Sequence, residues 1–562
     1  MAIVTAGLVK VTAGFVKVTA GSVKVAEGFA KALGTLAMST AGLAVVCGHR
    51  TKVAAGGCLG SGEVGTSSRD AVAATGTLRR FAAVRKHSSQ GTATVASVLP
   101  GCGRKADVRD SDLLPVRFAF EITANCFPPD KETTMWWFRV LVVLGVVCLT
   151  TNGTQAAPPN VVLIVSDDQA WTDYGFMGHP HIQTPRLDRL ARASLVFRRG
   201  YVPSSLCCPS LASLITGKYP HQHKIANNDP PGGSKNKGTF AAGRETMSRF
   251  MDAQPTLPRL LTQAGYLTLQ TGKWWQGEFT RGGFTHGMTK GQRHGDEGLD
   301  IGRKTMQPID DFIGEARKQD KPFFVWYAPM LPHTPHNPPQ RLFDKYKSLT
   351  KSEHVARYWA MCEFFDETCG QLLDHLAEQK LAENTIVIYV TDNGWIQDPD
   401  KPQYAPKSKQ SQYDGGLRTP IMVRWPGKVA PRMSDVPISS LDILPTVLEA
   451  VGLQRPAELP GLNLLDEAAV ARRETVFGEC FTHDSRDLQN PAASLRWRWL
   501  VRGNWKLIVP TSQNEPSGQV ELYDLQADPH ETQNLMESQP ERVAKLRQSL
   551  DEWWRGETPK NP

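Results

Sequence analysis

Asn160-Val161-Val162-Leu163-Ile164-Val165-Ser166-Asp167-Asp168 is the stretch that decides the fold. Its five consecutive apolar residues show no polar alternation, which reads as a strand covered on both faces, as in the middle of a parallel sheet. The run ends on two carboxylates. Far downstream, Asn384-Thr385-Ile386-Val387-Ile388-Tyr389-Val390 follows the same plan and ends on Thr391-Asp392-Asn393-Gly394. Ligands in open α/β sheets sit beyond the carboxyl ends of the strands. Both acidic pairs are therefore expected at one site.

Between and after these strands, helical and extended patterns alternate. Thr184–Ala193, Leu257–Ala264 and Glu353–Gln379 carry helical periodicity, whereas Lys321–Tyr327 and Thr419–Trp425 are strand-like. Such alternation predicts a layered α/β domain over 158–455 with a central mixed, mostly parallel sheet flanked by helices. After Gly452 the texture becomes short and Trp-rich, with strands expected at Glu474–Gly478, Arg496–Arg502, Trp505–Val509 and Val520–Tyr523. With the helical tail Pro540–Trp554, residues 456–562 predict a smaller antiparallel sheet carrying one helix.

The second decisive stretch is Cys207-Cys208-Pro209-Ser210-Leu211-Ala212-Ser213-Leu214-Ile215-Thr216-Gly217. Proline is tolerated in a first helical turn and glycine ends helices in the left-handed conformation, so Cys207 is expected at a helix start. Free N–H groups and the positive dipole end favour an anion there. Asp167, Asp168, Asp392 and Asn393 offer oxygen donors without imidazole or thiolate, which suits a hard cation, calcium first and magnesium second.

Net charge is +8, but residues 1–134 hold 16 Lys and Arg against 9 Asp and Glu, and the rest is nearly balanced. The basic excess belongs to this Ala/Gly-rich, low-complexity leader, so no nucleic-acid partner is expected. Met135 then opens a segment with Arg139, the apolar run Val140–Leu149 and a small-residue cleavage site near Ala156, which has the composition of a signal peptide over 135–157. Translation starting at Met135 is the expectation, with 1–134 an upstream extension. The chain would be exported, periplasmic or extracellular, without a stable membrane anchor. Five cysteines remain beyond Ala156, too few and too odd in number for a disulfide framework.

The Cys207 stretch resembles the C-x-P-S-R and T-G signature of the type I, formylglycine-dependent sulfatases, in the alkaline-phosphatase-like superfamily. The matching residues are Cys207, Pro209, Ser210, Thr216 and Gly217. Gly272-Lys273-Trp274, Pro332-His333-Thr334-Pro335 and Lys409 before Tyr413-Asp414-Gly415-Gly416 are similar to further motifs of that family. The resemblance implies that Cys207 is oxidised to formylglycine by a maturation enzyme, and that Asp167, Asp168, Asp392, Asn393 and residue 207 hold one calcium ion. It further implies Lys273 and Lys409 on the sulfate and His333 as proton donor to the leaving alcohol. The hydrate of formylglycine would attack sulfur, giving a covalent sulfo-enzyme intermediate. The substrate would be a sulfated small molecule or polysaccharide. Alternatives on the same scaffold are a phosphate or phosphonate monoester hydrolase, or a non-catalytic relative that binds sulfated glycans.

Two positions depart from the pattern. Leu211 stands where the family has arginine, and Arg281 or Arg418 is the replacement cation to consider. Trp275 stands where the family carries a histidine, and His223 or His286 is a candidate to replace it. Trp275, Arg281, His286, His223 and His483 are expected around the substrate.

Overall fold

The structure, a computed structural model, describes residues 157–557. The leader over 1–134 and the signal-like segment opened by Met135 lie outside the described residues. Among those described, the large sheet comprises β1 (Asn160–Ser166), β2 (Leu195–Tyr201), β3 (Leu267–Gly272), β4 (His286–Gly287), β5 (Phe323–Ala328), β6 (Thr385–Thr391), β7 (Arg418–Arg424), β8 (Arg432–Ser434) and β9 (Ile438–Ser439). The order is β4-β3-β5-β1-β6-β7-β2-β8, with β9 also paired to β2. β1 lies parallel to both β5 and β6, while β7 runs antiparallel to β6 and β2. This is the mixed, mostly parallel sheet expected.

The apolar run of β1 divides its side chains between two cores. Val161, Leu163 and Val165 enter one cluster, and Val162 and Ile164 the other, all at most 1% exposed. Strand geometry requires this, because successive side chains point to opposite faces. The first face is covered by α2 (Cys207–Thr216), α3 (Lys237–Asp252), α4 (Leu257–Gln263) and α7 (Ile443–Ala450). The second carries α1 (Pro185–Arg192), α5 (Gln307–Lys318) and the long α6 (Glu353–Glu378). Asp366 of α6 accepts hydrogen bonds from the backbone N–H groups of Leu187 (2.7 Å) and Arg186 (3.1 Å), so one helix caps the start of another.

A second sheet, β10 (Thr475–Phe481), β11 (Leu495–Arg502), β12 (Trp505–Pro510) and β13 (Glu521–Asp524), is antiparallel throughout. α8 (Pro540–Trp553) buries Leu546 and Leu550 against Leu500, Leu507, Val509 and Leu522. The opposite face packs Trp499, Val501 and Ile508 onto Tyr201, Val202 and Leu417 of the large sheet's periphery. Strand β2 escaped the sequence reading because Arg198-Arg199 breaks its apolar run, and its pairing with β7 shifts register between Phe197 and Gly200. Among the described residues no helix is long and apolar enough to cross a membrane.

Candidate active site

The carboxyl ends of β1 and β6 are tied to each other. Asp392 N–H donates to Ser166 O (2.9 Å), and Asp392 Oδ1 accepts from the backbone N–H groups of Asp168 (3.0 Å) and Asn393 (2.6 Å). Asn393 Nδ2 donates to Asp168 Oδ1 at 2.7 Å. Asp168 adopts φ 64, a left-handed conformation that is costly for a residue with a Cβ. All four side chains are buried.

α2 begins at Cys207 and ends at Gly217, which takes φ 67 and donates its N–H to Ser213 O. Pro209 sits in the first turn, as its chemistry allows. Ser210 Oγ donates to the Asp392 carbonyl, which pins the helix start to the end of β6. The ligand atoms of Asp167, Asp168, Cys207 and His333 consequently lie within 4.8 Å of one another.

The two lysines reach the same point from separate elements. Lys273 follows β3, where Gly272 at φ 75 lies so near the next strand that a Cβ would stand 1.9 Å from Ala328 O. Its Nζ is 2.5 Å from Asp167 Oδ1 and 3.5 Å from Asp392 Oδ2. Lys409 contacts both oxygens of Asp168, at 2.7 and 2.6 Å. Burial disfavours both ammonium groups, yet the surrounding carboxylates outweigh it and hold each lysine above its ordinary range. Burial likewise pushes Asp168 up, but Lys409, His333 and Lys273 together hold it well below the usual carboxylate range. Asp392 is raised to about 7, by burial first and then by Asp167.

His333 lies between two cis peptide bonds, Leu331–Pro332 and Thr334–Pro335. Its Nδ1 donates to Thr334 O at 2.6 Å, leaving Nε2 3.3 Å from Asp168 Oδ2. Burial, Lys273 and Lys409 push this imidazole down to about 3 against the pull of Asp168. Burial also pushes the Cys207 thiol up to about 12, with Asp168 and Asp392 adding to it and both lysines opposing. A thiol so buried is a poor nucleophile as it stands.

The acidic cluster fits a hard cation. Asp167 Oδ2 and Asn393 Oδ1 are buried and accept no hydrogen bond among the described residues. An unpaired buried acceptor is costly, and an all-oxygen donor set is what calcium or magnesium takes.

Beside this centre opens a cavity of about 290 Å³ whose lining includes Cys207, His333, Lys409, Trp275, Trp395 and Tyr404. Of the remaining residues expected around the substrate, Trp275 and His483 line it; three do not. His223 is wholly buried, bonded through Nε2 to Ser213 Oγ and through Nδ1 to Ile225 N–H. His286 sits in the sheet's edge strand β4, 3.4 Å from Glu315. Arg281 is committed to Glu245 and Asp252 at the surface. Arg418 stacks at 3.8 Å on Trp171 and donates to Arg198 O, so neither arginine replaces the missing one. Leu211 is 3% exposed and simply belongs to the apolar core.

The reading of the sequence missed Arg293 and His294, which line the same cavity. The available signal was weak: an Arg-His pair bracketed by glycines in Gly291-Gln292-Arg293-His294-Gly295.

Residues 159–453 match the Sulfatase family, and residues 407–555 match N-sulphoglucosamine sulphohydrolase, C-terminal. N-acetylgalactosamine-6-sulfatase of Canis lupus familiaris is 28% identical over 384 residues, covering 60% of this chain and 70% of that one. Human arylsulfatase A is 29% identical over 365 residues, covering 55% of this chain and 66% of the relative. Among solved structures, Ps i-CgsB in complex with k-i-k-neocarrahexaose superposes with a TM-score of 0.57 at 22% identity, over 72% of this chain and 94% of that one. That likeness speaks to the fold. The match over residues 159–453 takes in more than half of the sequence, and the chain belongs to the sulfatase family.

Proposed function

We propose that this protein is an exported hydrolase that releases sulfate from a sulfated carbohydrate. The observation that carries the reading is the convergence of Cys207, at a helix start, with Asp167, Asp168 and His333, while two buried lysines abut the same carboxylates. A sulfate monoester carries negative charge on its peripheral oxygens, and preorganised cations in a buried site stabilise further charge as the ester bond breaks. Lys273 and Lys409 supply that charge. The family relatives named above act on sulfated substrates by their names, and one fold neighbour holds a carbohydrate, which supports the substrate class.

Asp167, Asp168, Asp392 and Asn393 would hold a calcium or magnesium ion beside residue 207. When bound, that ion supplies fixed positive charge to the sulfate and to the nucleophile. The Cys207 thiol, raised to about 12, is protonated at neutral pH. Conversion of Cys207 to formylglycine would supply, as its hydrate, an oxygen nucleophile at the same place.

His333 is the proton donor in this reading. Its Nδ1 proton is engaged by Thr334 O, so Nε2 is the atom that takes up and delivers a proton. Burial first, and then the two lysines, disfavour a proton on that atom in the free site. An arriving anionic ester acts in the same sense as Asp168 and raises its affinity for a proton.

Mass spectrometry of the Cys207 peptide from protein co-expressed with a formylglycine-generating enzyme tests the nucleophile. Sulfate release from paired sulfate and phosphate esters tests the reaction. Intact thiol in fully matured material, or faster turnover of the phosphate ester, overturns the proposal.

A further inference from the structure

His294 stands in the cavity with one ring nitrogen committed and the other free. Arg293 Nη1 donates to its Nε2 at 2.9 Å. A guanidinium has donors only, so Nε2 must accept, and the neutral ring then carries its proton on Nδ1. Among the described residues, Nδ1 meets no hydrogen-bond acceptor.

This arrangement is held in place from several directions. Arg293 is fixed by both oxygens of buried Asp229, at 3.0 and 2.9 Å. Its guanidinium lies 4.6 Å from the Trp275 ring centre, and the His294 ring stands edge-on to the same indole, with centroids 4.4 Å apart. The loop itself is docked on the catalytic strand end. His294 O accepts from Trp274 N–H at 3.1 Å, and a Cβ on Gly295 would lie 2.4 Å from Gly272 O. His294 at φ 75, Gly295 at φ 118 and Asp296 at φ 52 are successive left-handed residues. Gly295 takes this conformation freely, but His294 and Asp296 carry a Cβ and are costly there, and the Asp296 carboxylate offsets part of that cost by accepting from Lys290 and Gln292 N–H groups. The backbone of His294 is thus docked on Gly272 and Trp274, the two residues that flank Lys273.

Trp275 adds a second unfulfilled donor, since its Nε1–H is buried and without an acceptor among the described residues. Burial pushes the His294 imidazole down to about 2, and Lys273, Arg293, His333 and Lys409 add to the effect, so the ring stays neutral in the working range.

Resting on the hydrolase reading above, we propose that His294 is a substrate-contacting residue whose Nδ1–H donates to an oxygen of the bound sulfate group. Arg293 and Asp229 act through it as positioning residues that fix the tautomer. The site therefore holds a tetrahedral oxyanion with two ammonium groups and one neutral imidazole donor, the last delivered by a loop 21 residues beyond Lys273 in sequence.

The test is inorganic sulfate binding by calorimetry to the full chain carrying Cys207→Ala, which reads the anion site without turnover. Two substitutions at 294 separate the ring nitrogens. In His294→Asn the amide nitrogen can take the place of Nδ1–H. In His294→Gln the longer side chain can accept from Arg293 in place of Nε2 but offers the cavity no Nδ1 donor. We expect His294→Gln to bind sulfate about 10-fold more weakly than the Cys207→Ala parent, and His294→Asn to stay within about 3-fold of it. Equal binding by both, the reverse order, or no sulfate binding by the parent overturns the inference. A matured wild-type protein that cleaves no sulfate ester, but whose sulfate binding depends on residue 294 in this way, overturns the hydrolase reading and leaves the inference standing.

Discussion

Lys409 Nζ lies 2.7 and 2.6 Å from the two carboxylate oxygens of Asp168, a residue 241 positions earlier in the chain. Both groups are buried, Lys409 at 8% and Asp168 at 0% exposure. Neither would be stable there alone, because a buried unpaired charge carries a heavy desolvation cost. The contact that lets the lysine stay charged also holds it at the wall of the cavity beside Cys207 and His333.

Replacing Lys409 or Lys273 by methionine should lower kcat/KM for sulfate esters by about 100- to 1,000-fold, the loss typical of one preorganised donor at a developing charge. Chemical denaturation should also report a loss of about 3 kcal/mol, since a carboxylate is left buried without its partner. Unchanged kcat/KM in a folded Lys409→Met protein would remove the lysine from the site.

His333→Asn should discriminate between leaving groups. An aryl sulfate with an acidic phenol needs little proton donation, whereas a sugar alcohol needs it fully. We expect kcat on a carbohydrate sulfate to fall about 100-fold or more, and on p-nitrophenyl sulfate by much less. Equal losses on the two esters would assign His333 to binding rather than proton transfer.

Chelation should act on stability as well as rate. A cation bound by Asp167, Asp168, Asp392 and Asn393 adds about 2.7 kcal/mol to the folded state at a hundred times its dissociation constant. Dialysis against a chelator should lower Tm by several degrees, calcium should restore it, and Asn393→Ala should abolish the response. Elemental analysis reads the same outcome directly.

Asp173, outside the acidic cluster, provides a pH test. Burial raises its carboxyl from 3.8 to about 7, against hydrogen bonds from Tyr358, Ala170 and Thr172. The folded state thus favours the protonated form. This contribution is complete below about pH 4 and is lost as pH rises through about 7. Asp173→Asn cannot ionise, so its Tm relative to wild type should become more positive between pH 5 and 8. Within that window the change should amount to about 2.7 kcal/mol, at about 1.36 kcal/mol per pH unit up to about pH 7 and levelling off above it. A difference that does not vary with pH would show that Asp173 titrates normally.

Much of this molecule was legible in its residues because the governing signals are local. The unbroken apolar run at Val161–Val165 can only be covered on both faces, and β1 is. Pro209, tolerated in the first turn, and Gly217, free to take φ 67 past the last turn, mark the two ends of α2. Helix α3 was not foreseen: its apolar residues are sparse, and only Met247, Ser248 and Met251 are buried, so its stability comes from docking rather than periodicity.

What the sequence by itself determined was the sheet's central strands, the paired carboxylates at their ends, the cysteine at a helix start and the lysines and histidine of the motifs. Each depends on residues within a few positions of one another. What only the tertiary structure decided was which further groups meet them. His223, His286 and Arg281 have plausible neighbours in sequence but are engaged elsewhere by Ser213, Glu315 and Glu245. His294 has no such signal and nevertheless enters the cavity, because a glycine-bracketed loop packs its backbone against Gly272 and Trp274. The direction a loop side chain takes is set by long-range backbone contacts, and those have no periodicity to read.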